Sequence, residues 1–343
     1  MTSRELFNAT CEGEECTRPP FWLMRQAGRY LPEYRELKDK YGFLGIVKTP
    51  ELAVEAALQP IRRFDFDCAI MFSDILTIPE ALGIPYSFKD KGGIQLETTI
   101  KGFAEIKKLA PPYVIREKLS YITENLKMLR AELPDKAIFG FSGSPFTLAA
   151  YMVEGEGSQD FPKFKKFIKD CPDEFEILME ILSDAVGEYA KMQAECGIDA
   201  FQIFDSHGGI APLDYYGDYS GMWTSKALKS IGGKVKTCVF APAMSDRFEE
   251  LATTRADMFS LDATVKFSEI RSIYDGEYTL QGNLDPTRLS TATPQEVAQK
   301  TEEIITDVAE YGQHIFNLGH GIRPDAKIEN VEALCETVKN TKK

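Results

Sequence analysis

Arg25 and Arg29 stand either side of Gly28, directly after an apolar run, in a stretch 21–35 that closes with Tyr30, Pro32 and Arg35. Arginine stays charged and offers a planar fork of donors. Two of them just past a short buried segment suit a pocket for carboxylate or phosphate groups. The plainer alternative is that each pairs with an acid on a solvated face, where such pairs contribute little. Further polar residues recur at the ends of apolar runs: Asp74, Ser142, Asp205 with Ser206 and His207, Asp262, Asn283 and His320. Singly, each reads as a cap or turn former, as does Asp285 before Pro286. As a set they are harder to dismiss, because one rim of one fold would collect them all. Of the three histidines, His314 starts its run and reads as structural. His320 ends that run and precedes Gly321, which leaves it open between a ligand contact and a satisfied loop residue.

Several chemistries are missing their residues. There is no Walker-type phosphate loop and no glycine-rich dinucleotide fingerprint between a strand and a helix. Gly155-Glu156-Gly157-Ser158 is too acidic to cradle phosphate. No nucleophile elbow is present, and Ser206 and His207, adjacent in sequence, cannot face each other as a catalytic pair. Clustered His and Cys for zinc are absent. What remains is a pocket without metal or cofactor, built from arginines, carboxylates, a tyrosine and a histidine. It suits an anionic substrate undergoing proton transfer.

The elements that must position these groups follow from periodicity. Short apolar runs at 21–24, 67–74, 137–143, 200–206, 235–241, 258–264, 278–283 and 314–320 read as buried strands. Most are followed by helical patterns. Thr49-Pro50-Glu51 starts a helix running to about Phe64, and Thr293-Pro294-Gln295-Glu296 forms a capping box. The clearest helix spans 173–196, with Gly197 as its stop. A further helix covers 114–133, a β-excursion or long loop covers 84–101, and a last helix carries Val331, Leu334, Cys335 and Val338. Eight strands alternating with helices predict a single (β/α)8 TIM barrel, class α/β, over residues 1–343, with 1–17 as a flexible N-terminal segment. In such barrels the reactive groups come from the C-terminal ends of the strands.

The chain has 343 residues and is 43% hydrophobic, enough for one barrel-sized core. No apolar run is long enough to span a bilayer, and the first twenty residues lack a basic head and an apolar signal core. A cytoplasmic protein is therefore expected. Seven scattered cysteines form no disulfide framework, and Cys196 and Cys335 lie on apolar helix faces. The net charge of −13 repels nucleic acid and acidic membranes, so an anionic ligand must be held by a local positive island.

The residues also carry a specific resemblance. Arg18-Pro19-Pro20-Phe21-Trp22 through Met24-Arg25-Gln26-Ala27-Gly28-Arg29-Tyr30-Leu31-Pro32-Glu33-Tyr34 resembles the N-terminal signature of the uroporphyrinogen decarboxylase family. So do Phe72-Ser73-Asp74-Ile75-Leu76, Gly140-Phe141-Ser142-Gly143-Ser144-Pro145 on to Tyr151-Met152-Val153-Glu154-Gly155, Phe204-Asp205-Ser206-His207, Leu280-Gln281-Gly282-Asn283-Leu284-Asp285-Pro286 and Asn317-Leu318-Gly319-His320-Gly321. These matches fall in the family's order over almost the whole chain. The resemblance implies a distorted (β/α)8 barrel, a homodimer with facing clefts, and cofactor-free removal of CO2 from the four acetates of uroporphyrinogen III to give coproporphyrinogen III.

It also implies roles. Asp74 would accept from the pyrrole N–H groups and stabilise a cationic intermediate. Arg25 and Arg29 would bind substrate carboxylates, with Ala27 giving backbone contact in the same loop. Tyr151, Ser206 and His320 would add substrate contacts. Arg25 also stands near the proton-transfer step, where a bound water or a substrate carboxyl is the other candidate donor, since arginine is a weak acid. Where some members carry a further arginine, this chain has Lys38, a point charge without bidentate geometry. Two other readings stay open here: a zinc-thiolate methyltransferase of the same superfamily, for which Cys238 lacks a neighbouring histidine, and a non-catalytic tetrapyrrole-binding protein.

Overall fold

A computed structural model describes residues 1–89, 93–212, 215–274 and 278–341. Its strands in chain order are β1 (Cys68–Ile70), β2 (Tyr86–Phe88), β3 (Ile94–Leu96), β4 (Ala137–Gly143), β5 (Ala200–Phe204), β6 (Lys236–Phe240), β7 (Met258–Ser260), β8 (Thr279–Leu284) and β9 (His314–Leu318). Seven of them form one parallel sheet in the order β1-β4-β5-β6-β7-β8-β9. Strands such as β8 and β9 are buried at every position, as a parallel sheet covered on both faces requires.

The predicted first strand closes the ring with a single bridge. Phe21 bridges Phe316 in parallel. The Phe316 amide donates to the Pro20 carbonyl at 2.9 Å, the Trp22 amide to the Phe316 carbonyl at 3.2 Å, and the Asp67 amide to the Phe21 carbonyl at 3.0 Å. The run is too short to pair further because Pro19 and Pro20 bring no N–H and the chain turns away after Met24. The result is a distorted (β/α)8 barrel. Inside it the Trp22 indole donates to Gln281, and the Gln281 amide donates to Gln202, at 2.9 and 3.0 Å.

The expected flexible N-terminus is corrected. Ser3–Cys11 is a helix started by a Thr2–Glu5 capping box, and Phe7 is fully buried edge-on to Phe139 with ring centroids 5.4 Å apart. Leu6, Phe7, Ala9 and Cys11 form too brief an apolar face to announce a helix, yet Phe7 and Cys11 pack against the barrel residues Trp22, Phe139 and Met258, while Leu6 and Ala9 pack with Cys16. Arg4 ties the helix to Asp199 at 2.7 Å.

Other elements follow expectation with trimmed ends. The Pro50–Phe64 helix forms, although the Thr49 side chain makes no capping bond. The long helix is Pro172–Ala194, and the Pro294–Val308 helix starts with the Thr293–Glu296 capping box. The 114–133 helix breaks into Ile115–Lys118 and Ser120–Glu132. The excursion at 84–101 contains the antiparallel hairpin β2–β3, with Tyr86 opposite Leu96, while its residues 90–92 lie outside the described residues. β7 stops at Ser260, which leaves Asp262 in a loop. No helix among the described residues is long and apolar enough to cross a membrane.

Candidate active site

The segment after the closing bridge is pinned from below, so its arginines are held at the C-terminal rim. The Met24 amide donates to Asn317 Oδ1 at 2.9 Å, and the Ile322 amide to the Met24 carbonyl at 2.8 Å. Gln26, buried, accepts from the Leu23 amide at 3.1 Å and donates to the Cys68 carbonyl at 3.2 Å. Between these anchors Arg25 adopts φ 63°, a left-handed conformation uncommon for a residue other than glycine. Two glycines make room for it. A Cβ on Gly28 would lie 2.7 Å from the Arg25 carbonyl oxygen, and one on Gly321 would lie 2.5 Å from Arg25 Cδ. Arg25 and Arg29 are both exposed and form no ion pair among the described residues. Although the residue keeps solvent contact, the protein around it partly desolvates the Arg25 guanidinium, and with the neighbouring Arg29 this pulls its pKa below the ordinary value against the opposing influence of Tyr151 and Asp74.

Asp74 follows β1 on the same rim and is only partly exposed. Its Oδ1 accepts from the Leu76 amide at 2.7 Å, a local turn that fixes the carboxylate. Burial pushes its pKa up to about 6, opposed by the Leu76 amide, the Tyr86 hydroxyl and Arg25 and reinforced by Glu80. Tyr151 reaches the same space from the Pro145–Glu154 helix, which Ser144 caps by accepting from the Thr147 amide at 2.9 Å. Burial and then Asp74 raise the Tyr151 pKa, while Arg25 lowers it. His320 comes from the loop after β9. Burial and Arg25 lower its pKa, against Asp262 and the Gly321 backbone. Arg25, Asp74, Tyr151 and His320 thus act on one another electrostatically, with Arg25 as the common member and Arg29 beside it.

Ser206 and Ala27 are placed less directly. Ser206 is exposed at the end of β5, next to His207, whose ring lies 5.1 Å from that of Tyr151. Ala27 packs partly buried against the core below the arginines. Lys38 sits half-buried on the Pro32–Tyr41 helix and has no recorded link to this cluster.

Several rim residues serve structure. Asp205 is fully buried and accepts from the hydroxyls of Ser144, Thr147 and Ser220 at 2.5, 2.8 and 2.6 Å. Asp262 accepts from the Ala243 and Thr264 amides at 2.9 and 3.0 Å, and the Asn283 amide donates to the carbonyls of Asp262 and Val265 at 2.8 and 2.9 Å. Ser142 donates to the Gly143 carbonyl, and His314 is buried with Nε2 3.0 Å from the Gly282 carbonyl oxygen. Sequence reasoning missed an aromatic line along the rim. Phe141, Phe204, Phe240 and His320 follow one another with centroids 5.6, 6.2 and 5.9 Å apart. Its signal was a phenylalanine near the end of each of three consecutive strands. Tyr86, at the back of Asp74, was also missed.

The cluster pairs cationic groups able to hold carboxylates with one carboxylate whose charge is costly to bury. It can bind a polyanion and stabilise a positive charge formed beside it. No three of His, Cys, Asp or Glu among the described residues come close enough together to hold a metal.

Comparison with known proteins gives concordant results. The family model described as uroporphyrinogen decarboxylase (URO-D) matches residues 2–341. The uroporphyrinogen decarboxylase of Ruthia magnifica is 39% identical over 328 residues, 94% of each chain. That of Flavobacterium johnsoniae is 37% identical over 341 residues, 99% of each chain. That of Nitrosococcus oceani is 40% identical, over 94% of this chain and 91% of its own. Among solved structures, a methyltransferase from Methanosarcina mazei superposes with a TM-score of 0.83 at 19% identity, covering 99% of this chain and 98% of its own. A B12-independent methionine synthase from Shewanella does so at 0.57 and 14%, covering 94% and 98%. At those identities the structural likenesses speak for the fold alone.

Proposed function

The chain belongs to the uroporphyrinogen decarboxylase family, and from that premise we propose that Asp74, Arg25 and Arg29 carry the family's reaction in this protein. It is a carboxy-lyase that decarboxylates uroporphyrinogen in tetrapyrrole biosynthesis. Each turnover at a ring converts an acetate to a methyl group. The pyrrole takes a proton on carbon, the bond to the carboxylate breaks with its electrons flowing into that cationic ring, and CO2 leaves an exocyclic methylene. That carbon takes a proton to become the methyl group, and the ring carbon gives back its proton to restore the pyrrole, so one proton is consumed for each CO2 released. The substrate's own ring is the electron sink that a bound cofactor supplies elsewhere.

Asp74 accepts from the pyrrole N–H groups and offsets the ring cation. By analogy with one preorganised group in an oxyanion hole, this is worth about 3–4 kcal/mol. Arg25 and Arg29 hold peripheral carboxylates, and Arg25 stands beside the proton-transfer step, with a water or a substrate carboxyl as the other donor. Tyr151 orients the ring next to Asp74, His320 and Ser206 meet side-chain carboxylates, and Ala27 lines the loop. The observation that carries this reading is one partly buried carboxylate, held by the Leu76 amide and acted on by Arg25, on the rim where Arg25 and Arg29 have no acidic ion-pair partner among the described residues. The same reading includes a homodimer with facing clefts and a cytoplasmic location.

The test is an anaerobic assay with reduced uroporphyrinogen in metal-free buffer. Asp74→Asn is expected to lose at least a hundredfold in kcat, roughly 3 kcal/mol of barrier, while substrate binding stays measurable. Activity within about tenfold of wild type would remove Asp74 from the role.

A further inference from the structure

Behind Asp74 lies a set of hydroxyls that the reaction as written does not use. Ser73 Oγ and the hydroxyl oxygens of Tyr86, Tyr121 and Tyr189 are enclosed, and none has a partner in hydrogen-bond geometry. They come from separate elements: the residue before Asp74, strand β2, the Ser120–Glu132 helix and the Pro172–Ala194 helix. Tyr86 is 4% exposed and Tyr189 1%. Each acts electrostatically on its neighbours. Tyr86 responds to Asp74, Glu80, Tyr121 and Tyr189, Tyr121 to Tyr189, Glu80 and Asp74, and Tyr189 to Asp74, with the Ser73 and Thr77 hydroxyls near enough to favour its ionised form. A surface cavity of about 310 Å³, lined by Lys48, Glu80, Ala81, Lys118, Leu119 and Tyr121, touches the set at Tyr121 alone. Packing alone would be served by phenylalanine at each tyrosine. Several unpaired hydroxyls gathered beside one carboxyl therefore call for a role of their own.

We propose that Tyr86 is a positioning residue for Asp74: its hydroxyl, backed by those of Ser73, Tyr121 and Tyr189, donates to the rear of the carboxylate in the substrate complex and keeps it ionised and aimed into the cleft. The inference rests on the role given to Asp74 above. The Leu76 amide already fixes Oδ1 at 2.7 Å, and the Tyr86 hydroxyl stands close enough to favour the charged carboxylate while burial opposes it. Catalytic hydrogen bonds that are long in the empty enzyme commonly tighten when substrate binds. The titratable groups that act on this carboxyl are Glu80 from its own segment, Arg25 from the arginine loop, Tyr86 from β2, and Tyr151, Tyr121 and Tyr189 from the three helices packed around it.

Tyr86→Phe keeps the ring and removes the donor. The Asp74 carboxyl is to be titrated by infrared difference spectroscopy, its band identified by its loss in Asp74→Asn. In Tyr86→Phe its apparent pKa is expected to rise by about half a unit or more. The acid limb of kcat is expected to move upward with it while KM holds. Tyr121→Phe, farther along the set, is expected to shift it the same way by less, and it carries the test if Tyr86→Phe does not accumulate folded. An unmoved Asp74 titration overturns the inference whatever the activity. Should Asp74→Asn keep its activity, the catalytic reading falls while the titration still decides whether Tyr86 acts on the carboxyl.

Discussion

At the N-terminal end of the barrel Arg18 forks onto both oxygens of Asp67, at 2.6 and 2.9 Å, and Arg4 and Arg130 share Asp199, whereas at the C-terminal end Arg25 and Arg29 meet no carboxylate partner among the described residues. The protein has acids to spare, with a net charge of −13, so a shortage of partners does not explain the difference. Placement does. Asp67 is buried and also accepts from the Ser3 hydroxyl and the Phe21 amide, so its charge is fully compensated within the protein. Asp74 stands near Arg25 without closing onto it. Pairing with Asp67 outweighs burial and raises the Arg18 pKa; burial and Arg29 leave that of Arg25 lowered. One signature stretch thus contains an arginine committed to the fold and two without an acidic partner among the described residues.

The contrast can be broken by exchange. Arg18→Met leaves Asp67 buried and uncompensated and is expected to cost about 3–5 kcal/mol in urea unfolding, with kcat kept where the variant is folded. Arg25→Met is expected to do the reverse, changing stability by no more than about 0.5 kcal/mol while kcat/KM drops at least tenfold, roughly 1.4 kcal/mol. If both variants lost stability alike, the division between the two ends would be wrong.

Asp74 sharpens it further, because its charge should cost stability. Its folded pKa is raised from 3.8 to about 6, so between those values the folded state keeps a proton that the unfolded state gives up. Stability from this group is complete below the lower value and is lost as pH rises through the upper one. Asp74→Asn is therefore expected to gain up to about 3 kcal/mol near neutral pH and nothing near pH 4. Equal gains at both would show that burial does not penalise the charge. In the wild type the same titration places the acid limb of activity near pH 6, since the stabilising form is the carboxylate.

The smallest effect is expected at Gly321. An alanine there meets the Arg25 side chain at 2.5 Å, and a shift of that guanidinium should lower kcat/KM by about three- to tenfold with little change in the urea midpoint. An unchanged kcat/KM would mean that Arg25 binds substrate in a different rotamer.

The sequence made the barrel legible because each strand is a brief apolar run bounded by polar residues, a pattern that local physics produces. Arg25, Asp74 and His320 were legible because charged or polar groups at strand ends share a rim, whereas Tyr151, on the Pro145–Glu154 helix, was reached only through the family resemblance. What stayed hidden depends on distant partners. The 21–24 run pairs only as far as β9 allows, and the Ser3–Cys11 helix is apolar only where the barrel's end covers it. Asp205, Asp262 and Asn283 look like site residues along the chain, yet their partners lie in loops whose position only the fold determines. Tyr86 could not be placed behind Asp74 without the hairpin that brings it there.

The bridge between Phe21 and Phe316 joins segments far apart in the sequence, and it sets an order in time. The lip that carries Arg25 is anchored by Asn317 and Ile322, which are synthesised after β1 and β4 to β8. A nascent chain can complete β4, β5 and β6 and cover them with helices well before that. It cannot fix the Arg25 lip until β9 arrives, because the loop-closure entropy of this longest-range pairing must be met first. Ordering of the lip is thereby made to coincide with closure of the barrel.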